Sequence, residues 1–239
     1  MSQEEVKEGG AEAASSSTAA NAELHISLLE LQQQNGVAAQ IYTRLCYVGR
    51  LAEGANERSV RQWHADALEA ESTGVALVQG DTVAALVECS PDGATAFLQG
   101  LAGCALFRPS SVRVVCSVEA CPSRSFSEWR CVPLKMPVED GYELPLDQAA
   151  IESHALYAGL LGVGKRFQDS SMSPADREAN WSNLAKFCPD SLPSNEKVLV
   201  FARSDGVQEV SEFLAMYDPA INAKADSDLV WPIASDAPF

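Results

Sequence analysis

Long apolar runs are missing from this chain. Stretches such as Val83–Val87 and Val198–Ala202 fall far short of the ~20 residues a membrane helix needs. Positive charge is scarce as well: 17 Lys and Arg stand against 33 Asp and Glu, for a formal net charge of −16. With no basic cluster to act as a local exception, such a surface repels phosphate backbones and anionic bilayers. Neither nucleic acid nor a membrane is expected as a partner. The opening MSQEEVKEGG lacks the basic-then-apolar order of a secretory signal. Cysteines occur at 46, 89, 104, 116, 121, 131 and 188, an odd number with no C-x-x-C pair. A secreted disulfide scaffold would be smaller and denser in cysteine, so buried, reduced thiols in a cytoplasmic protein are the expectation.

Catalytic signatures are equally sparse. The three histidines, His25, His64 and His154, have no second His or Cys at i+3 or i+4, so the usual helical metal pairs are missing. There is no G-x-S-x-G elbow. Cys121, before Pro122, would need a histidine delivered by the fold to act as a nucleophile. Gly159-Leu-Leu-Gly-Val-Gly164-Lys165 matches the first seven positions of a phosphate-binding loop, yet Arg166 stands where the metal-binding Ser or Thr belongs. The preceding AAIESHALYAGLL is helical in pattern, which predicts a small-residue helix C-terminus. No catalytic, cofactor-binding or metal-ligating residue is expected, and a small-molecule ligand is not.

What is present suffices for a sizeable core: 239 residues, 46% of them apolar, give one to two domains. Residues 1–22 are Ala-, Ser- and Glu-rich and read as a disordered acidic tail. Leu24, Leu28 and Leu31 recur at helical spacing up to an Asn35-Gly36 stop. An α/β block follows: a strand over 40–49, a helix over 57–70, strands 73–79 and 82–88 joined at Gly80-Asp81, a helix capped by Ser90-Pro91, and a strand over 112–118. This β-α-β-β-α-β order is the split βαβ arrangement of a ferredoxin-like α+β sheet. After Trp129 the regularity loosens into a connector punctuated by Pro133, Pro137 and Pro145. Helices are predicted over 148–167, from Ser173-Pro174 to about Phe187, and over 207–217, with a strand at Lys197–Ala202. The expected organisation is a tail (1–22), a sheet domain with its preceding helix (23–132), a C-terminal α/β extension packed on it (133–218), and an acidic docking tail (219–239).

Four segments carry a family resemblance in this order: RLCYVGR (44–50), Thr73-Gly74, Val87-Glu88-Cys89, and Arg124-x-Phe126-x-x-Trp129. Together they resemble the BLUF domain, the blue-light flavin-sensing fold, across about 90 residues. In that family the flavin lies between the two helices, held by an Asn pair late in the first. A Gln on the third strand bridges the flavin and a first-strand Tyr. Tyr47 matches that tyrosine, but the Asn positions fall on Asp66 and Ala67 and the Gln position on Ala85. The resemblance therefore implies a degenerate domain whose flavin place is filled by side chains, with no cofactor. A BLUF-like domain with an added C-terminal region is similar to the testis-expressed protein 47 group, linked to cilia and sperm flagella, and to small central-pair subunits of the axoneme. That implies a non-catalytic structural or adaptor subunit of a motile cilium, docked on larger axonemal scaffold proteins. The alternative is a flavin- or nucleotide-binding sensor. Leu24, Leu28, Leu31, Trp231 and Phe239 are the expected docking anchors.

Overall fold

Central strands buried on both faces decide this architecture. The computed structural model describes residues 41–135, 145 and 148–217. The expected N-terminal helix, both tails and the five expected anchors lie outside the described residues. The elements run β1 (Tyr42–Arg50), α1 (Glu57–Ala67), β2 (Thr73–Gln79), β3 (Thr82–Cys89), α2 (Pro91–Ala102), β4 (Arg113–Cys121) and β5 (Trp129–Pro133). The C-terminal half adds α3 (Ala149–Phe167), α4 (Pro174–Ser182), α5 (Leu184–Phe187), α6 (Asn195–Phe201) and α7 (Val210–Tyr217). The sheet order is β4-β1-β3-β2-β5. Neighbours among its first four strands are antiparallel, and β3 is inserted between the parallel β1 and β2, so the expected split βαβ sheet is present. Strand β5 extends it parallel to β2.

Local chemistry explains several boundaries. Asn56 caps α1, its side chain accepting from the Arg58 and Ser59 amides while the Ser59 hydroxyl accepts from the Asn56 amide. Ser90 caps α2 with Pro91 at its first position, as expected. The β2–β3 hairpin turns at Gly80-Asp81, with Gly80 at φ +58°, the first-position glycine of a type II′ turn.

One sheet face carries Leu45, Tyr47, Ala76, Val78, Val83, Ala85 and Val87 against α1 and α2. The opposite face carries Cys46, Val48, Val75, Leu77, Ala84 and Leu86 against α3, α4 and α6. Burial of Leu156, Leu160, Val163 and Phe167 on α3 stabilises this second layer by roughly 1.5–3 kcal/mol per side chain. The Phe167 and Trp181 rings stack in parallel at 3.8 Å and lock α3 to α4. The C-terminal half thus supplies the cover of one sheet face.

Three expectations are corrected. Lys197–Ala202, expected as a strand, lies in helix α6 apart from Ala202, which caps it. Ser194 caps that helix by accepting from the Lys197 amide, and Thr82 ties it to the hairpin through Asn195. Trp129–Pro133, expected as part of a connector, is strand β5. The helix expected from Ser173-Pro174 to Phe187 breaks at Asn183 into α4 and α5. Before α7, the Val114 amide donates to the Gln208 carbonyl and the Val210 amide to the Val112 carbonyl, covering one end of the β4 edge. Helix α7 then lies beside α2 and β4. No helix among the described residues is long and apolar enough to cross a membrane.

Candidate functional site

The four segments behind the family resemblance converge on one buried carboxylate. Glu88, at the end of β3, is fully buried. Arg44 of β1 stands directly opposite it in the antiparallel register and donates from Nε at 2.7 Å. Thr73 of β2, paired to Glu88 from the other side, donates its hydroxyl at 2.9 Å. The amides of Ser125 and Phe126 complete the shell at 2.8–3.0 Å. The Arg44 guanidinium also reaches the Ser123 carbonyl and the Ser125 hydroxyl. A buried charge persists only when paired and hydrogen-bonded, and here both oxygens are saturated. Chemically the knot binds the β4–β5 connection onto the sheet.

That connection then staples both layers. Phe126 enters the α3-side core, while Trp129 packs towards the helix pair α1 and α2. Arg124 lies over the Tyr42 ring at 4.2 Å.

The second part of the site lies between α1, α2 and the sheet. Tyr47 and His64 are both buried, with the Tyr47 hydroxyl 2.6 Å from His64 Nε2. His64 Nδ1 is 2.7 Å from the Val60 carbonyl, which can only accept. The proton therefore resides on Nδ1, and Tyr47 donates to Nε2. Around this pair, the Trp129 ring stacks on His64 at 4.6 Å, Trp63 meets Phe97 at 5.4 Å, and Phe107 stands edge-on to Tyr47 at 6.2 Å. The β1–β3 register places Ala85 directly opposite Tyr47, where a methyl group offers no hydrogen bond. Asp66 accepts from Gln62 on the exposed side of α1, and Ala67 packs on the core. These residues do not fit a flavin: rings fill the interhelical space, and His64 has taken the tyrosine hydroxyl that a β3 glutamine would otherwise hold. No flavin-dependent step follows from this arrangement.

Burial lowers the His64 pKa to about 4, although its bond to the Val60 carbonyl pulls upward. Burial also holds the Tyr47 hydroxyl well above its ordinary value, so both are neutral at pH 7. An unfolded chain protonates His64 near pH 6.5, whereas the folded one resists until about 4. Stability should therefore fall as the pH drops through that window, by roughly 3 kcal/mol at its acid end. Urea midpoints of the protein and of His64→Gln at pH 7 and 4.5 check this. The difference between the two proteins should shrink on acidification, and a constant difference would contradict a neutral buried His64.

The remaining sequence candidates do not assemble into a site. Gly159–Lys165 lies inside α3, with no strand before it. A Cβ on Gly159 would stand 2.7 Å from the Ser191 carbonyl oxygen, and one on Gly164 2.6 Å from that of Ser125. These glycines let α3 approach its neighbours closely, inside the helix and not at the C-terminus expected there. His154 is exposed on α3, and Cys121 is a buried free thiol; His25 lies outside the described residues. No group of three His, Cys, Asp or Glu among the described residues is placed to hold a metal ion. Nothing in the residue pattern marks His64 as a polar centre. Glu88 lies in the third resemblance segment, but only the β-strand register, which puts Arg44 and Thr73 on either side of it, shows what it binds.

Among solved structures the chain is similar to the BLUF domain of BlrP1, a Klebsiella pneumoniae protein, at 16% identity over 62% of this chain and 90% of that one, with a TM-score of 0.35. It is similar to BlsA in its photo-activated state at 11% identity, over 60% and 93% of the two chains, with a TM-score of 0.34. A bacterial light-regulated adenylyl cyclase matches at 11% identity and a TM-score of 0.35 over 49% of this chain. This chain spans 34% of the cyclase's length and 37% of BlrP1 in its calcium/cy-diGMP complex. The sequence model of testis-expressed protein 47 matches residues 41–219, which begins with the residue before β1 and ends two beyond α7. The chain belongs to the testis-expressed protein 47 family.

Proposed function

We propose that this chain is a non-catalytic structural or adaptor subunit of a motile cilium, held in the axoneme, within a central-pair projection, by docking on larger scaffold proteins. One observation carries the reading. Every residue that the BLUF resemblance would assign to photochemistry is either replaced, as at Asp66, Ala67 and Ala85, or committed to packing, as Tyr47 is through His64. The motif segments brace a sheet instead of presenting reactive groups. What remains is a sheet covered on both faces, a body suited to docking on partners. The link of the testis-expressed protein 47 group to cilia and sperm flagella, implied by the resemblance, supports the location.

Fractionation of cilia from cells expressing the tagged full chain tests this. The protein should stay with the axoneme after detergent and leave with a defined set of large proteins at high salt. Appearance in the detergent-soluble fraction would overturn the proposal. So would a flavin absorbance band in the purified protein, which is the result the sensor reading requires. Removing residues 219–239 should leave the melting temperature within about a degree or two, while retention in the axoneme falls sharply.

A further inference from the structure

A groove of about 720 Å³ lies away from the aromatic cluster, between α2, α7 and the adjoining ends of β1 and β4. Its lining includes the apolar Leu45, Leu98 and Phe213, and Ile41 stands at its edge with 48% of its surface exposed. Asp92 and Glu119 are exposed on the rim. Neither carboxylate has an ion pair among the described residues, and no Lys or Arg lines the groove.

We propose that this groove receives an amphipathic helix of a partner protein, with apolar side chains at i and i+3 or i+4 entering it and Lys or Arg on the flanks meeting Asp92 and Glu119. Helix-in-groove recognition has this form: apolar anchors supply the affinity, and complementary rim charge supplies register and on-rate. Charge selects the occupant. This chain has a net charge of −16, and residues 218–239 carry Asp218, Asp226, Asp228 and Asp236 against one Lys, Lys224. An acidic rim therefore repels the chain's own tail and a second copy, and attracts a cationic helix. The inference rests on the docking reading above and names the partner chemistry for it.

The probe is a synthetic helical peptide of about 18 residues, five turns, with Leu on one face and Lys on the flanks, beside a twin carrying Glu for Lys. Fluorescence anisotropy with the full chain reads binding. The Leu/Lys peptide should bind and its Leu/Glu twin should not. Thr95→Trp places an indole in the groove without changing charge and should weaken binding about tenfold or more. Asp92→Asn with Glu119→Gln should weaken it several-fold and flatten its salt dependence. Gln99→Trp, from the same exposed helix face, replaces Thr95→Trp if that variant melts early.

Equal binding by the protein and its groove-filled variant would overturn the proposal, since the peptide would then be reading overall charge. So would absence of binding, or binding that appears only when residues 219–239 are removed, which would make the chain's own tail the occupant. A dimer that Thr95→Trp dissociates would make it a second copy and overturn the proposal too. A chain that binds no peptide yet remains on washed axonemes sinks the groove alone; one that binds peptide but never reaches the axoneme sinks the ciliary reading alone.

Discussion

Replacing Glu88 with alanine should destabilise this protein by about 3–5 kcal/mol, the range for removing one member of a buried ion pair. The cause is what remains behind. Arg44, with a side chain only 13% exposed, loses its counter-ion. The Thr73 hydroxyl and the Ser125 and Phe126 amides lose their acceptor in a place shielded from water. Against a total stability of about 5–15 kcal/mol, that leaves a marginal fold. Glu88→Gln keeps one acceptor oxygen but turns an NH2 group towards other donors, so it should lose somewhat less. Urea unfolding of each variant measures the effect. Pairing Glu88→Leu with Arg44→Met should recover part of the loss, because both partners then disappear together. A cost below about 1 kcal/mol for Glu88→Ala would show that water supports the carboxylate.

Gly74→Ala should cost on the order of 4 kcal/mol or abolish soluble expression. Gly74 has φ +139°, a region open to glycine and closed to side chains. An added Cβ would stand 2.1 Å from the Leu86 carbonyl oxygen, which is backbone in the adjoining strand and cannot swing aside. The same residue pairs with Trp129 on β5, so any shift disturbs three strands. Gly103→Ala is the matched control. Its φ is −93° and nothing lies within 4 Å of the added carbon, so its melting temperature should stay within a few degrees. Similar melting of Gly74→Ala and Gly103→Ala would contradict the observed strand approach.

The first half of the fold was legible because its signals are local. The Ser90-Pro91 cap and the two-residue turn at Gly80-Asp81 act within a few positions. Strand β5 was not, because five residues ending in Pro133 show no alternation, and their pairing with β2 is made some 55 positions away in sequence. Helix α6 misled for a different reason. Seven residues are too few to show a 3.6-residue period, and the apolar, valine-rich run Val198-Leu-Val reads as a strand until Ser194 caps it. At the site, Tyr47 and Glu88 could be named from the resemblance. Which groups would face them could not, because His64, Ser125 and Phe126 are brought in only by tertiary packing.

The two-sided cover of the sheet fixes an order of events during synthesis. Strands β1 to β4 emerge first, and α1 and α2 can cover their face as soon as they appear. The other face, with Cys46, Val48, Val75, Leu77, Ala84 and Leu86, waits for α3 through α6. At roughly 5–20 residues per second, that wait lasts on the order of ten seconds. A nascent chain therefore presents a flat apolar sheet surface in the interval, a natural client for a holdase. A product stopped near residue 133 would keep that surface permanently exposed. Premature stop codons in the second half of the reading frame should thus yield insoluble or degraded protein, not a shortened adaptor.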